Sequence, residues 1–338
     1  MRTPLFFLMW LGIAAVVFGL ALYSGNDYVF FAGYVVLQYV VLSTAWNILG
    51  GYCGYVNFGS AAFFALGAYS TVAIYKFITE NEFAYRMPMP VLILIGGAIS
   101  GLVGFGMGYL TLRLRGAFFA IATLALAVVL QTLIVNWDFV GGSRGAYIIR
   151  PEEIAFIGPY IRYLFLCMLL LAVAAITIAR LIEHSRLGYG FATIRDDELA
   201  AEAAGVPTLK LKLIATTISG ALMGMAGAPF PYYIGYLQPA STFGLDYAVN
   251  SIAMPLIGGT TSWIGPLVGA ILLGSLQQIA TVTISSAVNL LIVGLLLVGF
   301  VIVAPNGIVG LVQTYLRRKP PEFVGRRHVE TQSPETVP

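Results

Sequence analysis

The charged side chains of this sequence that could bind a partner are concentrated in one segment. Residues 183–212 read EHSRLGYGFATIRDDELAAEAAGVPTLKLK and carry acidic and basic groups, in a chain of which only 10% of the residues are charged. An apolar run long enough to cross a bilayer lies on each side of the segment. We therefore expect residues 183–212 to lie in water between two membrane spans.

Within this segment the pattern predicts a short helix from Arg195 to Gly205. The acidic residues 196–198 would occupy its first turn, where carboxylates complement the positive helix end. Alanines favour its continuation, and Gly205 followed by Pro207 is a stop signal. Such a helix has a small-residue face on which a partner could dock. A solvated connecting helix, or one lying on lipid headgroups, is the alternative that the residues alone leave open.

Several other kinds of chemistry lack their residues in the sequence. None of the four lysines follows a glycine, so there is no phosphate-binding loop. An HExxH motif is also absent. Cys53 and Cys167, like His184 and His328, lie too far apart in the sequence to indicate a metal site or a disulfide framework. We expect no catalytic residue, metal or cofactor in this chain, and any nucleotide would bind to another subunit.

The polar residues inside the apolar runs are neutral. Every Asp and Glu falls in a loop, in a tail or at the edge of a run, whereas proton-coupled carriers usually keep an ionisable group within the membrane. Asn57 and Ser60 are the best candidates for lining a pathway, because they lie beside a glycine-rich break. Hydrogen bonding between helices is the alternative role for each polar residue.

The apolar runs predict the elements that position these residues. The chain is 59% hydrophobic, with a mean hydropathy of +0.88, which is typical of an all-α integral membrane protein. Ten runs of about membrane length, the eighth of them short, occupy Leu5–Tyr23, Tyr28–Leu49, Tyr55–Ile78, Pro90–Leu112, Ala117–Asn136, Tyr160–Ile182, Leu213–Ile234, Tyr247–Ile257, Ile264–Thr281 and Ala287–Ala304.

Two glycine-rich segments interrupt the runs, GGYCGYVNFG at 50–59 and GGTTSWIGP at 258–266. Irregular backbone at membrane depth is tolerated where protein covers it or where it lines a cavity. Their similar placement in the two halves hints at an internal repeat of the kind that transporters use. The candidates for the pathway wall are therefore Gly51, Gly54, Gly59, Gly258 and Gly259. Tight helix packing is the alternative explanation of these glycines.

The basic residues predict the orientation in the membrane. With the amino terminus inside and ten crossings, 13 of the 18 Lys and Arg residues fall on the cytoplasmic side, in agreement with the positive-inside rule. The net charge of +3 therefore reports membrane topology and not nucleic-acid binding. We expect a membrane domain over residues 1–316, with 183–212 in the cytoplasm, and a disordered cytoplasmic tail over 317–338.

Five stretches, in the same order, resemble one family. They are GGYCGYVNFGSAAFFALGAYS at 50–70, RLRGAFFAIATLALA at 113–127, VGGSRG at 140–145, SRLGYGFATIRDDELAAEAAGV at 185–206 and PLIGGTTSWIGPLVGA at 255–270. Together they resemble the LivM-type permease subunits of branched-chain amino acid ABC importers, from about residue 28 to 315. The resemblance implies an ABC importer permease fold in a bacterial inner membrane.

The resemblance also implies a role for the segment 183–212. It is similar to the cytoplasmic EAA-type loop, Glu-Ala-Ala-x-x-x-Gly, which docks on an ATPase. Placing Gly205 on the family glycine puts Ala200 and Ala201 on the alanines but Leu199 on the glutamate, which Glu198 and Glu202 flank. The residues implied to couple the chain to the ATPase are Arg195, Asp196, Glu198, Ala200, Ala201, Glu202 and Gly205.

The partners are likewise implied by the resemblance. They are a LivH-type permease, two cytosolic ABC ATPases of the LivG and LivF type that bind ATP and Mg²⁺, and an extracellular or periplasmic substrate-binding protein that meets the outer loops. The sequence departs from many members at Tyr55, Ser60 and Val140, which leaves urea, amides, other amino acids and small organic acids open as solutes. A stand-alone carrier or channel and a structural membrane subunit are the rival interpretations.

Overall fold

The computed structural model describes residues 3–81, 87–111, 114–154, 157–283, 294–295, 298–299 and 307–311. These residues form thirteen α-helices: α1 Thr3–Tyr23, α2 Asp27–Asn47, α3 Ser60–Glu80, α4 Met89–Thr111, α5 Ala117–Val135, α6 Tyr160–Glu183, α7 Arg186–Asp196, α8 Glu198–Ala203, α9 Thr208–Gly227, α10 Phe230–Ile234, α11 Pro239–Thr242, α12 Leu245–Gly258 and α13 Ile264–Thr283. A π-helical turn, Ile48–Tyr52, extends α2.

Four two-residue strands are the only strands in the described ranges. They are β1 Ala146–Tyr147, β2 Glu153–Ile154, β3 Gly158–Pro159 and β4 Tyr236–Leu237. β1 pairs antiparallel with β4, and β2 with β3. The all-α membrane class is therefore confirmed.

Eight helical segments of the described chain are long and apolar enough to cross a membrane, and each matches one of the ten predicted runs. The eighth run corresponds to α12, whose 14 residues extend about 21 Å. That is shorter than a hydrocarbon core of about 30 Å, as its length in the sequence had indicated. The tenth run, Ala287–Ala304, lies almost wholly outside the described residues, and so does the predicted tail at 317–338.

Contacts between the spans define two ends of the helical bundle. At one end, Arg162 at the start of α6 forms an ion pair with Asp27 at the start of α2, at 3.0 Å. At the other end, the guanidinium of Arg180 near the end of α6 lies 3.8 Å from the ring centre of Phe6 in α1. We call the second end, from which α7 and α8 continue, the loop end. The amino-terminal part of α1 and the segment 183–208 thus lie at the same end.

Small residues bring α3, α4 and α9 close together. A Cβ on Gly67 of α3 would lie 2.6 Å from the carbonyl carbon of Gly224 in α9, and one on Gly97 of α4 would lie 2.5 Å from Met225. Ser100 of α4 donates a hydrogen bond to the carbonyl of Phe63 at 3.0 Å. In a membrane, where apolar side chains gain little by leaving lipid, such close backbone packing holds the helices together.

The predicted single helix from Arg195 to Gly205 is wrong, because the segment forms two helices. Ser185 caps α7 by accepting hydrogen bonds from the amides of Leu187 and Gly188. Asp197 is extended, with φ −160°, and its carboxylate caps α8 by accepting from the amide of Ala200 at 3.1 Å. Residues 195 and 196 therefore end α7 and do not begin a helix. The predicted stop agrees with the structure, since α8 ends at Ala203 and residue 205 adopts φ +83°.

Candidate functional site

The two glycine-rich segments, here the first break (residues 50–59) and the second break (residues 258–266), meet at the loop end. A Cβ on Gly51 would lie 2.6 Å from the carbonyl oxygen of Thr260. Within the second break, a Cβ on Gly258 would lie 2.6 Å from the carbonyl carbon of Gly265. Gly259 adopts φ +119° and touches Gly307. Close backbone approach therefore requires glycine at these predicted pathway positions.

Asn57 and Ser60 lie where the first break enters α3, and both are buried. The side-chain oxygen of Asn57 accepts a hydrogen bond from the amide of Gly59 at 2.7 Å, and its carbonyl accepts one from the indole of Trp46 at 2.9 Å. The hydroxyl of Ser60 lies 2.9 Å from that of Ser251 in α12. In this conformation both predicted pathway side chains are packed within protein, at the junction of α2, α3 and α12.

A buried ion pair ties α8 to the bundle. Nζ of Lys212, in the first turns of α9, donates to Oε1 of Glu198 at 2.6 Å, and the hydroxyl of Tyr55 in the first break donates to Oε2 of the same carboxylate. The ammonium also lies 4.8 Å from the centre of the Tyr55 ring. The side chain of Lys212 is 3% exposed and that of Glu198 is 12% exposed. Two separate elements, α9 and the first break, therefore converge on one carboxylate of α8.

The surroundings of Glu198 keep it ionised. Burial acts to raise its pKa, but hydrogen bonds from Lys212 and Tyr55 and the attraction of Lys212 and Arg115 outweigh that effect, so the pKa is lowered. Burial and the adjacent Glu198 raise the pKa of the Tyr55 phenol, so its proton stays available for donation. Burial also raises the pKa of the neighbouring Cys53 thiol to about 12, which keeps the thiol protonated and unreactive.

A second carboxylate of α8, that of Glu202, also contacts other parts of the chain and shares Arg115 with Glu198. Glu202 accepts a hydrogen bond from the guanidinium of Arg115, before α5, at 2.9 Å and one from the hydroxyl of Thr208 at 2.9 Å. We call Tyr55, Arg115, Glu198, Glu202, Thr208 and Lys212 the tether cluster. The other face of α8 is free of these contacts: Leu199 is 63% exposed, and Ala200 and Ala203 are exposed as well. Ala201 is buried beneath the helix.

The end of α7 also contacts the first break. A Cβ on Gly54, which adopts φ +80°, would lie 3.0 Å from Cγ and 3.2 Å from Cα of Arg195. Arg195 forms an exposed ion pair with its neighbour Asp196 at 3.4 Å, a kind of contact that contributes little to stability. The structure thus brings together two sets that the sequence named separately, the proposed coupling residues and the proposed pathway residues.

Sequence reasoning missed the burial of Lys212, which it assigned to a segment lying in water. A signal was present, because Lys212 falls on the same helical stripe of α9 as the buried Thr208, Ala215 and Ser219. The contact of Tyr55 with Glu198 joins residues far apart in sequence, and no local pattern indicates it.

Comparison with known proteins gives the family. Residues 28–301 match the family model described as branched-chain amino acid transport system / permease component. The chain belongs to this permease family. It is therefore a multi-pass membrane protein of a transport family and not of an enzyme family. No solved structure matches the chain.

Three relatives illustrate the similarity. The chain is 26% identical over 314 residues to the high-affinity branched-chain amino acid transport system permease protein LivM of Salmonella typhimurium, covering 86% of this chain and 72% of the relative. It is 27% identical over 306 residues to the LivM protein of Escherichia coli K12, covering 83% and 70%. It is 25% identical over 273 residues to the probable LivH permease protein of Methanocaldococcus jannaschii, covering 75% and 85%.

Proposed function

We propose that this chain is a permease subunit of an ABC importer that moves a small solute, most simply a branched-chain amino acid, across the inner membrane. ATP would be hydrolysed by separate subunits. Family membership supports the transport function. The contact of Glu198 in α8 with Tyr55 of the first break and with Lys212 of α9 is the observation that supports coupling through the segment 183–212.

The tether cluster would transmit motion from an ATPase to the transmembrane helices. Glu198 holds Tyr55, which is five residues before α3, and Glu202 holds Arg115, which is two residues before α5. A displacement of α8 would therefore pull on the starts of α3, α5 and α9 together. Hydrogen bonds with an ionised partner are about twice as strong as neutral ones, so these connections can carry a mechanical load.

The free face of α8 would dock on the ATPase. Leu199, Ala200 and Ala203 point away from the bundle and offer a small apolar surface to a groove. This proposal requires the loop end to face the cytoplasm, with both termini on that side. It also requires the opposite end, including the β1–β4 pair, to face the substrate-binding protein.

Reconstitution tests the transport function and its rival. Proteoliposomes that contain this chain, its partner permease, both ATPases and the binding protein should take up leucine, isoleucine or valine only when ATP is present on the ATPase side. Proteoliposomes with this chain alone should take up nothing. Uptake by the isolated chain would instead establish a stand-alone carrier or channel. Parallel trials with urea, amides and small organic acids would define the solute.

A matched pair of substitutions tests the docking face. Leu199→Asp places a charge on the free face of α8 without touching the tether cluster, and we expect it to abolish co-purification of the ATPases with the permease. Tyr147→Asp makes the same kind of change at a residue that is 75% exposed at the opposite end, and should leave co-purification unchanged. Equal retention of the ATPases by both variants would contradict docking at α8.

A further inference from the structure

The carboxylate of Glu183 connects the two glycine-rich breaks. Glu183 is the last residue of α6, and its Oε2 accepts a hydrogen bond from the backbone amide of Trp263 at 2.7 Å. The same oxygen accepts one from the hydroxyl of Tyr52 at 3.2 Å. Tyr52 belongs to the first break and Trp263 to the second. A single oxygen atom thus bridges two segments that lie more than two hundred positions apart.

The surroundings of this bridge hold the two breaks in one arrangement. Next to it, the backbone of Gly51 lies so close to the carbonyl of Thr260 that a Cβ would not fit. The ring of Trp263 packs edge-on against Phe6 and Trp10 of α1, with centroids 5.1 and 6.1 Å away. The second break is therefore anchored on α1, and Glu183 attaches the first break to that anchor.

Glu183 is held by neutral donors. None of the ion pairs in the described part of the chain includes its carboxylate. A carboxylate that accepts hydrogen bonds from an amide and a phenol is stabilised in its position. When the carboxylate moves away from these donors, no ion pair has to be broken. Only Ser185 and His184 separate Glu183 from the first residue of α7, so a rotation of α7 acts on it directly.

We propose that Glu183 is a positioning residue that latches the first break to the second, and that the pathway opens toward the loop end only when this latch releases. The inference rests on the proposed function of the chain as a permease. In the present conformation the latch is engaged, and Asn57 and Ser60 are buried. Movement of α7 and α8 would release the latch and separate Tyr52 from Trp263.

Substitutions of Glu183 separate a latch from a merely structural side chain. Glu183→Gln retains a carbonyl oxygen that can accept both hydrogen bonds, whereas Glu183→Ala removes the acceptor. Loss of a hydrogen bond to a charged group corresponds to a shift of roughly ten- to a hundredfold in the closed-to-open equilibrium. We therefore expect Glu183→Ala to raise ATP-independent solute uptake by about tenfold or more and to lower the solute moved per ATP. Glu183→Gln should stay close to wild type.

A second variant keeps the test informative if Glu183→Ala does not assemble. Tyr52→Phe preserves the ring and removes only the hydroxyl, and should give a smaller leak. The double variant should leak no more than Glu183→Ala, because both changes break the same bridge. His184→Ala, at the exposed neighbouring position, is the control and should not leak.

The measurements use the complete reconstituted complex with its binding protein and ATPases. A wild-type complex without ATP-driven uptake would overturn the proposed transport function itself. A wild-type complex that transports, together with a Glu183→Ala variant that keeps the wild-type leak and the wild-type ratio of solute to ATP, would overturn the latch alone. Equal loss of uptake in the Glu183→Gln and Glu183→Ala variants, at an unchanged ratio of solute to ATP, would also overturn the latch, because it would indicate a structural role for this side chain.

Discussion

Replacing Lys212 by methionine should raise the undocked population of α8 while the membrane helices stay folded. Methionine fills a similar volume and is tolerated in irregular packing, but it removes the ammonium that lies 2.6 Å from Glu198. Removing one member of a buried ion pair costs about 3–5 kcal/mol, and a hydrogen bond to a charged group contributes about 1.5–3 kcal/mol. Glu198 keeps the hydrogen bond from Tyr55 and the guanidinium of Arg115, whose Nε lies 3.7 Å from Oε1. We therefore expect the free energy that holds α8 on the bundle to fall by about 2–3 kcal/mol.

This loss predicts a measurable change in local opening. Since about 1.4 kcal/mol corresponds to a factor of ten, the undocked population of α8 should rise roughly 30- to 150-fold. Amide hydrogen exchange of the purified chain in lipid nanodiscs reports such local opening, and the increase should be confined to residues 198–206. Lys210→Met changes an exposed lysine in the same helical turn and serves as the control.

Two results would refute the reasoning about Lys212. Unchanged exchange in α8 would mean that the ion pair does not hold the helix in place. A uniform increase over α3, α4 and α9 would mean that the lysine supports the membrane fold and not the docking of α8. The control must show wild-type exchange, because its ammonium can be lost without removing a contact to Glu198.

The remaining predictions concern pH and helix packing. The pKa of Glu198 is lowered from its ordinary value of 4.5, so its contribution to the docking of α8 is complete above that value and is lost as the pH falls through the lowered pKa. The exchange of α8, expressed relative to the intrinsic amide rate at each pH, should therefore rise only in acid, and Glu198→Gln should remove this pH dependence. Gly67→Ala should lower the unfolding free energy of the purified chain by about 2 kcal/mol or more, because its Cβ would overlap the backbone of Gly224. Gly106→Ala, where a Cβ meets open space, should be neutral or slightly stabilising, and equal effects of the two alanines in denaturant titrations would contradict the packing argument.

The membrane spans could be predicted from sequence because lipid leaves the backbone no alternative to internal hydrogen bonding. A stretch of about twenty apolar residues in a bilayer must form a helix, and hydropathy therefore located α1 to α6, α9 and α13. The glycine-rich breaks were also visible, since glycine is required where two backbones touch. That the two breaks touch each other, through Gly51 and Thr260, required the arrangement of helices around them.

The two helices of the segment 183–212 were harder to predict, because the local sequence signals for where a helix begins conflict. Ser185 and Asp197 are both good helix caps, and an acidic run such as 196–198 equally suits a first helical turn. Docking of Glu198 on Lys212 and Tyr55 favours the break at Asp197, and that is a tertiary contact. The partners of the carboxylates could not be predicted for the same reason, since Tyr55 and Glu198 lie 143 positions apart.

The carboxylates of α8 are offset from the EAA pattern, because Leu199 stands at the position of the family glutamate and Glu198 and Glu202 flank it. Successive residues of a helix point about 100° apart, whereas positions i and i+4 share a face. Glu198 and Glu202 therefore both face the bundle, and Leu199, at the position of the family glutamate, faces outward. If α8 is the ATPase-docking helix, its carboxylates act within this chain as tethers, and the surface it presents is apolar. The groove of a partner that binds α8 should accordingly be lined by apolar side chains, and not by a basic residue that pairs with a glutamate of the helix.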